Sequence, residues 1–137
     1  MAWLNATPKP PEGSRRAQEK DQPPRLCRAE QMTKDGVTFA MPPNPAPHIL
    51  GYLLEIGLTE AAGMGAGPIS WQSINTWQVA MGKRLPRWEM RLIRKLSVEY
   101  LAEGHRAESE NCPPPWRVAV SQREKDLEVA RLQMVLG

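Results

Sequence analysis

The stretch LPRWEMRLIRKLSVEYL, residues 85 to 101, decides the fold. Pro86 suits the first turn of a helix, because its missing N–H has no partner there in any case. Apolar side chains then recur at a constant step of four, and Gly104 provides a stop signal. The pattern predicts an amphipathic helix from Pro86 to Gly104. Its predicted core stripe consists of Trp88, Leu92, Leu96 and Tyr100.

The opposite side of this helix is basic. At about 100° per residue, four cations fall on the face away from the apolar stripe. A cluster of this kind is usually a solvated face, and the alternative is a patch that binds an acidic partner. The candidate partner-binding cations are Arg87, Arg91, Arg94 and Lys95.

Two shorter helices precede it. Residues 48 to 57, HILGYLLEIG, carry a broad apolar stripe that ends at Gly57. Ser70 has the position of an N-cap for a second helix over residues 71 to 81. The glycine-rich residues 59 to 67 between them predict a flexible connector.

Residues 1 to 47 predict an extended, disordered and mildly basic arm. Nine of the 14 prolines fall there, and seven basic residues stand against five acidic ones. Prolines block helices, and sparse apolar residues leave little burial to offset the entropy cost of ordering. Trp3 interrupts the polarity of the arm, either as a solvated tip or as an anchor that docks into a groove on this chain or a partner.

The helical body is predicted to span residues 48 to 116 and to end in a strap, CPPPW. Three successive prolines enforce an extended polyproline segment. Trp116 at its end is predicted to close the helical core, with a recognition motif as the alternative.

Residues 117 to 137 predict a C-terminal helix, because Ser121 and Glu124 have capping-box spacing. Its apolar residues point in several directions, so one face cannot bury them all. A terminal helix of this kind is an interface candidate. Leu132 and Leu136 lie one turn apart and are the predicted contacts for a partner helix or a second copy.

The composition allows one domain. The chain has 137 residues, of which 41% are hydrophobic and 24% charged, and its formal net charge is +3. No run of about 18 apolar residues and no signal-peptide pattern occurs, so we expect a cytosolic protein without a membrane segment. The separation of Cys27 and Cys112 favours reduced thiols over a zinc site.

The reactive residue types are not spaced for catalysis. No acid is placed to orient His48 or His105 as a base, and the glycines do not form a phosphate-binding loop. We therefore expect no enzyme, no cofactor and no metal. The body from 48 to 112 has seven basic and seven acidic residues, which argues against nucleic acid as a partner.

Four blocks in order give the chain a family resemblance over residues 41 to 116, about half its length. They read MPPNPAPHILGYLLEIG, PISWQSINTWQ, LPRWEMRLIRKLSVEYL and AESENCPPPW. This succession resembles a group of small tail assembly chaperones encoded by long-tailed bacteriophages and prophages. The residues that carry it are Pro47, Leu50, Leu54, Glu55, Gly57, Ile69, Ser70, Ile74, Trp77, Leu85, Trp88, Glu89, Leu92, Leu96, Ser97, Tyr100, Ala107, Pro114, Pro115 and Trp116.

The resemblance implies a helical, non-enzymatic factor of the host cytoplasm. It would bind the tape measure protein and recruit tail tube subunits during assembly, and then be absent from the finished particle. A homo-oligomer is compatible with so small a core. Two other classes stay open at this stage: a structural minor tail component of the virion, and a small helical DNA-binding regulator.

The predicted fold class is all-α. We expect a small helical domain of three to four helices, flanked by the proline-rich N-terminal arm and the C-terminal helix.

Overall fold

The computed structural model describes residues 1 to 116 and 122 to 137. The chain is mostly helical, as predicted, but a small two-stranded sheet means that it is not purely α. Seven helices, rather than three to four, occur in the described residues. The elements are α1 (Ala2–Asn5), α2 (Arg15–Gln18), α3 (Arg28–Lys34), α4 (Pro47–Ile56), β1 (Glu60–Ala62), β2 (Gly65–Gly67), α5 (Trp71–Met81), α6 (Arg87–Ala107) and α7 (Gln122–Leu136).

The hydrophobic core lies where α4, α5 and α6 meet. Partly buried leucines, Tyr52 and Met90 pack around its fully buried aliphatic side chains. Burial of such a side chain contributes about 1.5 to 3 kcal/mol, so this cluster is the main source of cohesion. The buried members are Ile49, Leu53, Ile69, Ile74 and Ile93.

The two predicted short helices, α4 and α5, are confirmed. Pro47 occupies the first turn of α4, and Gly57 ends it with a φ of 122° that favours glycine. The Ser70 side chain accepts a hydrogen bond from the Ser73 amide and caps α5. Gly82 ends α5 in the left-handed conformation.

The prediction of a flexible connector over residues 59 to 67 is wrong, because this segment forms an antiparallel hairpin. Glu60 pairs with Gly67, and Gly63 in the turn has a positive φ of 61°. A Cβ at Gly67 would come within 2.7 Å of the Ala62 side chain, so close strand pairing requires glycine there. Small residues that indicated flexibility therefore serve a tight turn.

The hairpin is tied to the start of α5 through one carboxylate. Glu60 accepts hydrogen bonds from the hydroxyls of Ser73 and Ser70, at 2.6 Å and 3.2 Å. These hydrogen bonds lower the pKa of the Glu60 carboxyl, because they favour its charged form, and the bond from Ser73 has the largest effect.

The predicted core stripe of α6 is wrong in its rotation about the helix axis. Ile93 and Ser97 are fully buried, whereas Leu92 and Leu96 are half-buried and Trp88 is 59% exposed. The reason is the Ser97 hydroxyl, which donates to the Leu58 carbonyl and accepts from the Ile69 amide. Because both hydrogen bonds of the Ser97 hydroxyl are formed, this polar side chain can lie in the core, and α6 is rotated accordingly.

The helix also runs through Gly104 to Ala107, beyond its predicted end. The first 47 residues differ from the predicted extended arm as well, since they contain three short helices, of which α1 packs against both α6 and α3. The α1 residues Ala2 and Leu4 are buried. The side chain of Arg28 joins these two regions, because it donates hydrogen bonds to the carbonyls of both Trp3 and Ala107.

Candidate partner-binding site

The predicted C-terminal helix is present as α7, while Ser121 of its predicted capping box lies outside the described residues. Two arginines of α7 contact the end of α3. Arg123 donates to the Asp35 carbonyl oxygen at 2.7 Å, and Arg131 binds the Asp35 carboxylate at 2.9 Å. With half-buried Leu127 between them, these residues define the face of α7 that is turned toward the body.

The other face of α7 carries an exposed apolar strip. Val129, Leu132 and Leu136 are 52%, 54% and 83% exposed. At about 100° per residue they lie on the side of the helix opposite Arg123 and Arg131. Met134 and Val135 add further exposed apolar surface at the same end. We call Val129, Leu132 and Leu136 the α7 strip.

Three of the four predicted partner-binding cations of α6 face solvent, whereas the fourth contacts the body of the protein. Arg87, Arg91 and Lys95 are exposed and form no ion pair within the described ranges. Arg94 is half-buried, and its guanidinium lies 5.6 Å from the ring centre of Trp71. This cation–π contact gives Arg94 a role within the body, whereas the other three cations face solvent.

Trp3 and Trp116 lie side by side in the fold, although they are 113 positions apart in the sequence. Their ring centres are 5.9 Å apart in an edge-to-face arrangement, and the Trp3 indole donates to the Cys112 carbonyl at 2.9 Å. Trp3 therefore docks on its own chain. Trp116 packs against Trp3, which differs from the predicted closure of the α4 to α6 core.

Arg28 connects Trp3 to the end of α6, a role that the sequence analysis did not predict. Its guanidinium donates to the backbone carbonyls of Trp3, Ala107 and Ser109 and lies 4.6 Å from the Trp3 ring. Ala107 is the last residue of α6, so the cation meets the negative end of that helix. Burial lowers the pKa of Arg28, an effect that Cys112 opposes.

The sequence held one signal for α3, the helix that positions Arg28. Glu30 stands three residues after Cys27, and its carboxylate accepts from the Cys27 amide at 2.9 Å. This is half of the capping-box pattern that begins a helix. The long-range partners of Arg28 had no local signal, because they lie about 80 positions away along the chain.

An apolar groove of about 530 Å³ lies between the N-terminus, the stretch before α4, and the helices α4 and α6. Core residues Ile49 and Leu53 form part of its lining, together with Leu92 and Leu96 of α6. Leu92 and Leu96 are only half-buried because they line this groove. The periodicity of α6 did not predict the groove.

The predicted reactive residues are dispersed. His48 lies 3.2 Å from the Glu89 carboxylate, a contact that links α4 to α6. In the part of the chain that the structure describes, no three His, Cys, Asp or Glu side chains are grouped to hold a metal ion. No described helix is both long and apolar enough to cross a membrane.

A helical body with an outward apolar helix is typical of a protein that acts by binding other proteins. The family comparison agrees with this class. A model described as phage tail assembly chaperone matches residues 16 to 102, which is more than half of the chain. The chain belongs to that family, and the resemblance stated from the sequence is confirmed.

The matched region contains α2 to α5 and most of α6, whereas α1 and α7 lie outside it. The family is not known to be enzymatic. No curated protein and no solved structure matches the chain.

Proposed function

We propose that this tail assembly chaperone binds the tape measure protein and recruits tail tube subunits in the host cytoplasm. Family membership supports the general role. The single observation that carries the binding site is the α7 strip, whose three apolar side chains point away from the body. A partner that exposes an apolar stripe can be covered by a second amphipathic helix.

The size of the α7 strip fits a reversible contact. Full burial of an aliphatic side chain contributes about 1.5 to 3 kcal/mol, and these three side chains are 52 to 83% exposed before binding, so their burial contributes less than the full amount. Association costs at least about 4 kcal/mol in lost freedom, so one strip gives weak binding. A chaperone that must dissociate from its partner needs weak binding, since competing tube subunits can then displace it.

The exposed cations of α6 remain a predicted second contact for acidic segments. Opposite charge accelerates encounter more than it adds affinity. Mutation of Arg87 or Arg91 should therefore slow capture and leave most of the affinity in place.

The experiment that tests this proposal replaces Leu132 and Leu136 by aspartate. Both side chains are exposed, so circular dichroism should show an unchanged fold. Co-expressed tape measure protein should no longer co-purify, because a charge on the strip opposes burial against an apolar stripe. A phage carrying the variant should make heads but few tails, and intact protein should restore them.

The matched control carries aspartate at Met64 and Val79, two exposed apolar residues of the hairpin and α5. This variant should still capture the partner. Normal tails from the α7 variant, or a fixed copy number of the protein in finished virions, would contradict the proposal. The second result would favour a structural minor tail component instead.

A further inference from the structure

One face of α6 has the spacing of a helix-pairing seam. Starting at Trp88, residues recur at alternating steps of four and three, the pattern that keeps one stripe of a helix facing a partner helix. The stripe does not face the core of the chain, since all its members are exposed except half-buried Leu92. The seam residues are Trp88, Leu92, Lys95, Glu99, Ala102 and Arg106. At about 100° per residue, Lys95 lies about 20° from Trp88 around the helix axis and not opposite it as predicted.

Charge divides this seam into two halves. Lys95 with neighbouring Arg91 makes the first half basic, and Glu99 gives the second half an unpaired carboxylate, while neighbouring Glu103 binds Arg106 at 2.6 Å. Arg91, Lys95 and Glu99 have no hydrogen-bond or ion-pair partner among the side chains of residues 1 to 116 and 122 to 137. A helix with opposite charges in its two halves is complementary to a reversed copy of itself.

We propose that a second copy of this chain docks on the α6 seam, with the two α6 helices antiparallel. Twofold symmetry then makes every contact occur twice. Near the axis, Lys95 of each copy lies opposite Glu99 of the other. Further out, Leu92 faces Ala102. At the ends, the indole of Trp88 faces the guanidinium of Arg106, a pairing that gives a cation–π contact.

The arrangement favours a second copy over an unrelated acidic segment or nucleic acid. Either of those would gain contacts with Lys95 but would meet the unpaired carboxylate of Glu99 one turn further along. Like charges brought together oppose binding. Only a partner whose charge reverses along its length satisfies both halves, and α6 itself is such a partner.

The dimensions suit a dimer. At about 1.5 Å per residue the 21 residues of α6 extend for about 30 Å, which gives room for the whole seam. The apolar groove lined by Leu92 and Leu96 opens beside the seam. A second helix there would shield part of the small core, and a core of this size gains from association.

Charge reversal at two positions tests the dimer. Lys95→Glu places glutamate opposite Glu99 twice, and Glu99→Lys places lysine opposite Lys95 twice. Each single variant should raise the dimer Kd by about tenfold or more. An equimolar mixture of the two should form a one-to-one heterodimer, because every pair is then attractive. The double variant should regain the wild-type dimer.

Sedimentation equilibrium measures these states directly, since the dimer has twice the 15.4 kDa chain mass. Arg87→Glu is the control, because it makes the same charge change one position outside the seam and should not alter the mass. A monomeric wild type, or single variants that stay dimeric, would overturn the proposal. The inference does not rest on the proposed function, and variants of the α7 strip should remain dimeric.

Discussion

The N-terminal segment and α7 both lie outside the core of α4, α5 and α6, yet they are held in opposite ways. The N-terminal segment, residues 1 to 47, is poor in apolar residues for its length, yet Ala2, Leu4 and Val37 are buried. The α7 helix is richer in apolar residues for its length, and its strip of three faces outward at 52 to 83% exposure. Apolar content therefore does not decide which segment joins the body.

The difference lies in the polar contacts. Arg28 joins the N-terminal segment to the carbonyls at the end of α6, with an arginine that is itself only 8% exposed. Asp35 joins α7 to α3 through arginines at the surface. Buried charge-assisted hydrogen bonds contribute about 1.5 to 3 kcal/mol each, whereas exposed ion pairs contribute about 0 to 1. The first segment is therefore part of the fold, whereas the strip of the second stays exposed.

Replacing Arg28 by alanine should produce the largest effect. Three carbonyl oxygens would lose their donor, so we expect a loss of about 3 kcal/mol or more in the free energy of unfolding. Urea unfolding followed by tryptophan fluorescence measures it. Arg25→Ala is the matched control, because among the described residues that exposed arginine bonds only to Gln22, and its loss should cost about 0.5 kcal/mol or less. Equal effects would remove the contrast between the two segments.

Leucine-to-alanine changes in each segment sharpen the comparison further. Leu4 is 4% exposed, and its truncation should cost about 2 to 3 kcal/mol, near the low end for buried leucines because the segment is short. Leu132 is 54% exposed, and the same change should alter stability by about 0.5 kcal/mol or less. If thermal denaturation gave both variants the same Tm, α7 would be packed as firmly as α1.

The smallest effect is expected for Asp35→Asn. The change removes the charge partner of Arg131 but leaves the backbone carbonyl that Arg123 uses. Global stability should fall by about 0.5 kcal/mol or less, because the ion pair is exposed. Faster backbone motion in α7 by NMR relaxation should accompany it. A large loss of stability would show that Asp35 holds more than α7.

Elements defined by local chemistry could be predicted from the sequence. Gly57, Ser70 and Gly82 marked the ends of α4 and α5, since caps act within a few residues. The hairpin was missed because strands of three residues carry no periodic signal. The rotation of α6 was missed because Ser97 has two partners that are distant in sequence, Leu58 and Ile69.

The same division applies to the candidate site. Exposure of Leu132 and Leu136 followed from a count of apolar positions that one helix face could not bury. The cations Arg87, Arg91 and Lys95 were placed on the solvent side, although Arg94 found Trp71. The pairing of Trp3 with Trp116 could not be predicted, because it depends on Arg28 bringing the two ends of the body together.

We propose α7 as the partner-binding element, and hydrogen–deuterium exchange can compare it with every other element of the chain. In the chaperone alone, amides of α6 should be protected while those of residues 129 to 136 exchange quickly, because the side chains of the α7 strip are exposed. Addition of the tape measure protein should slow exchange in residues 129 to 136 more than anywhere else. Unchanged exchange in α7, with new protection confined to other elements of a formed complex, would contradict the claim.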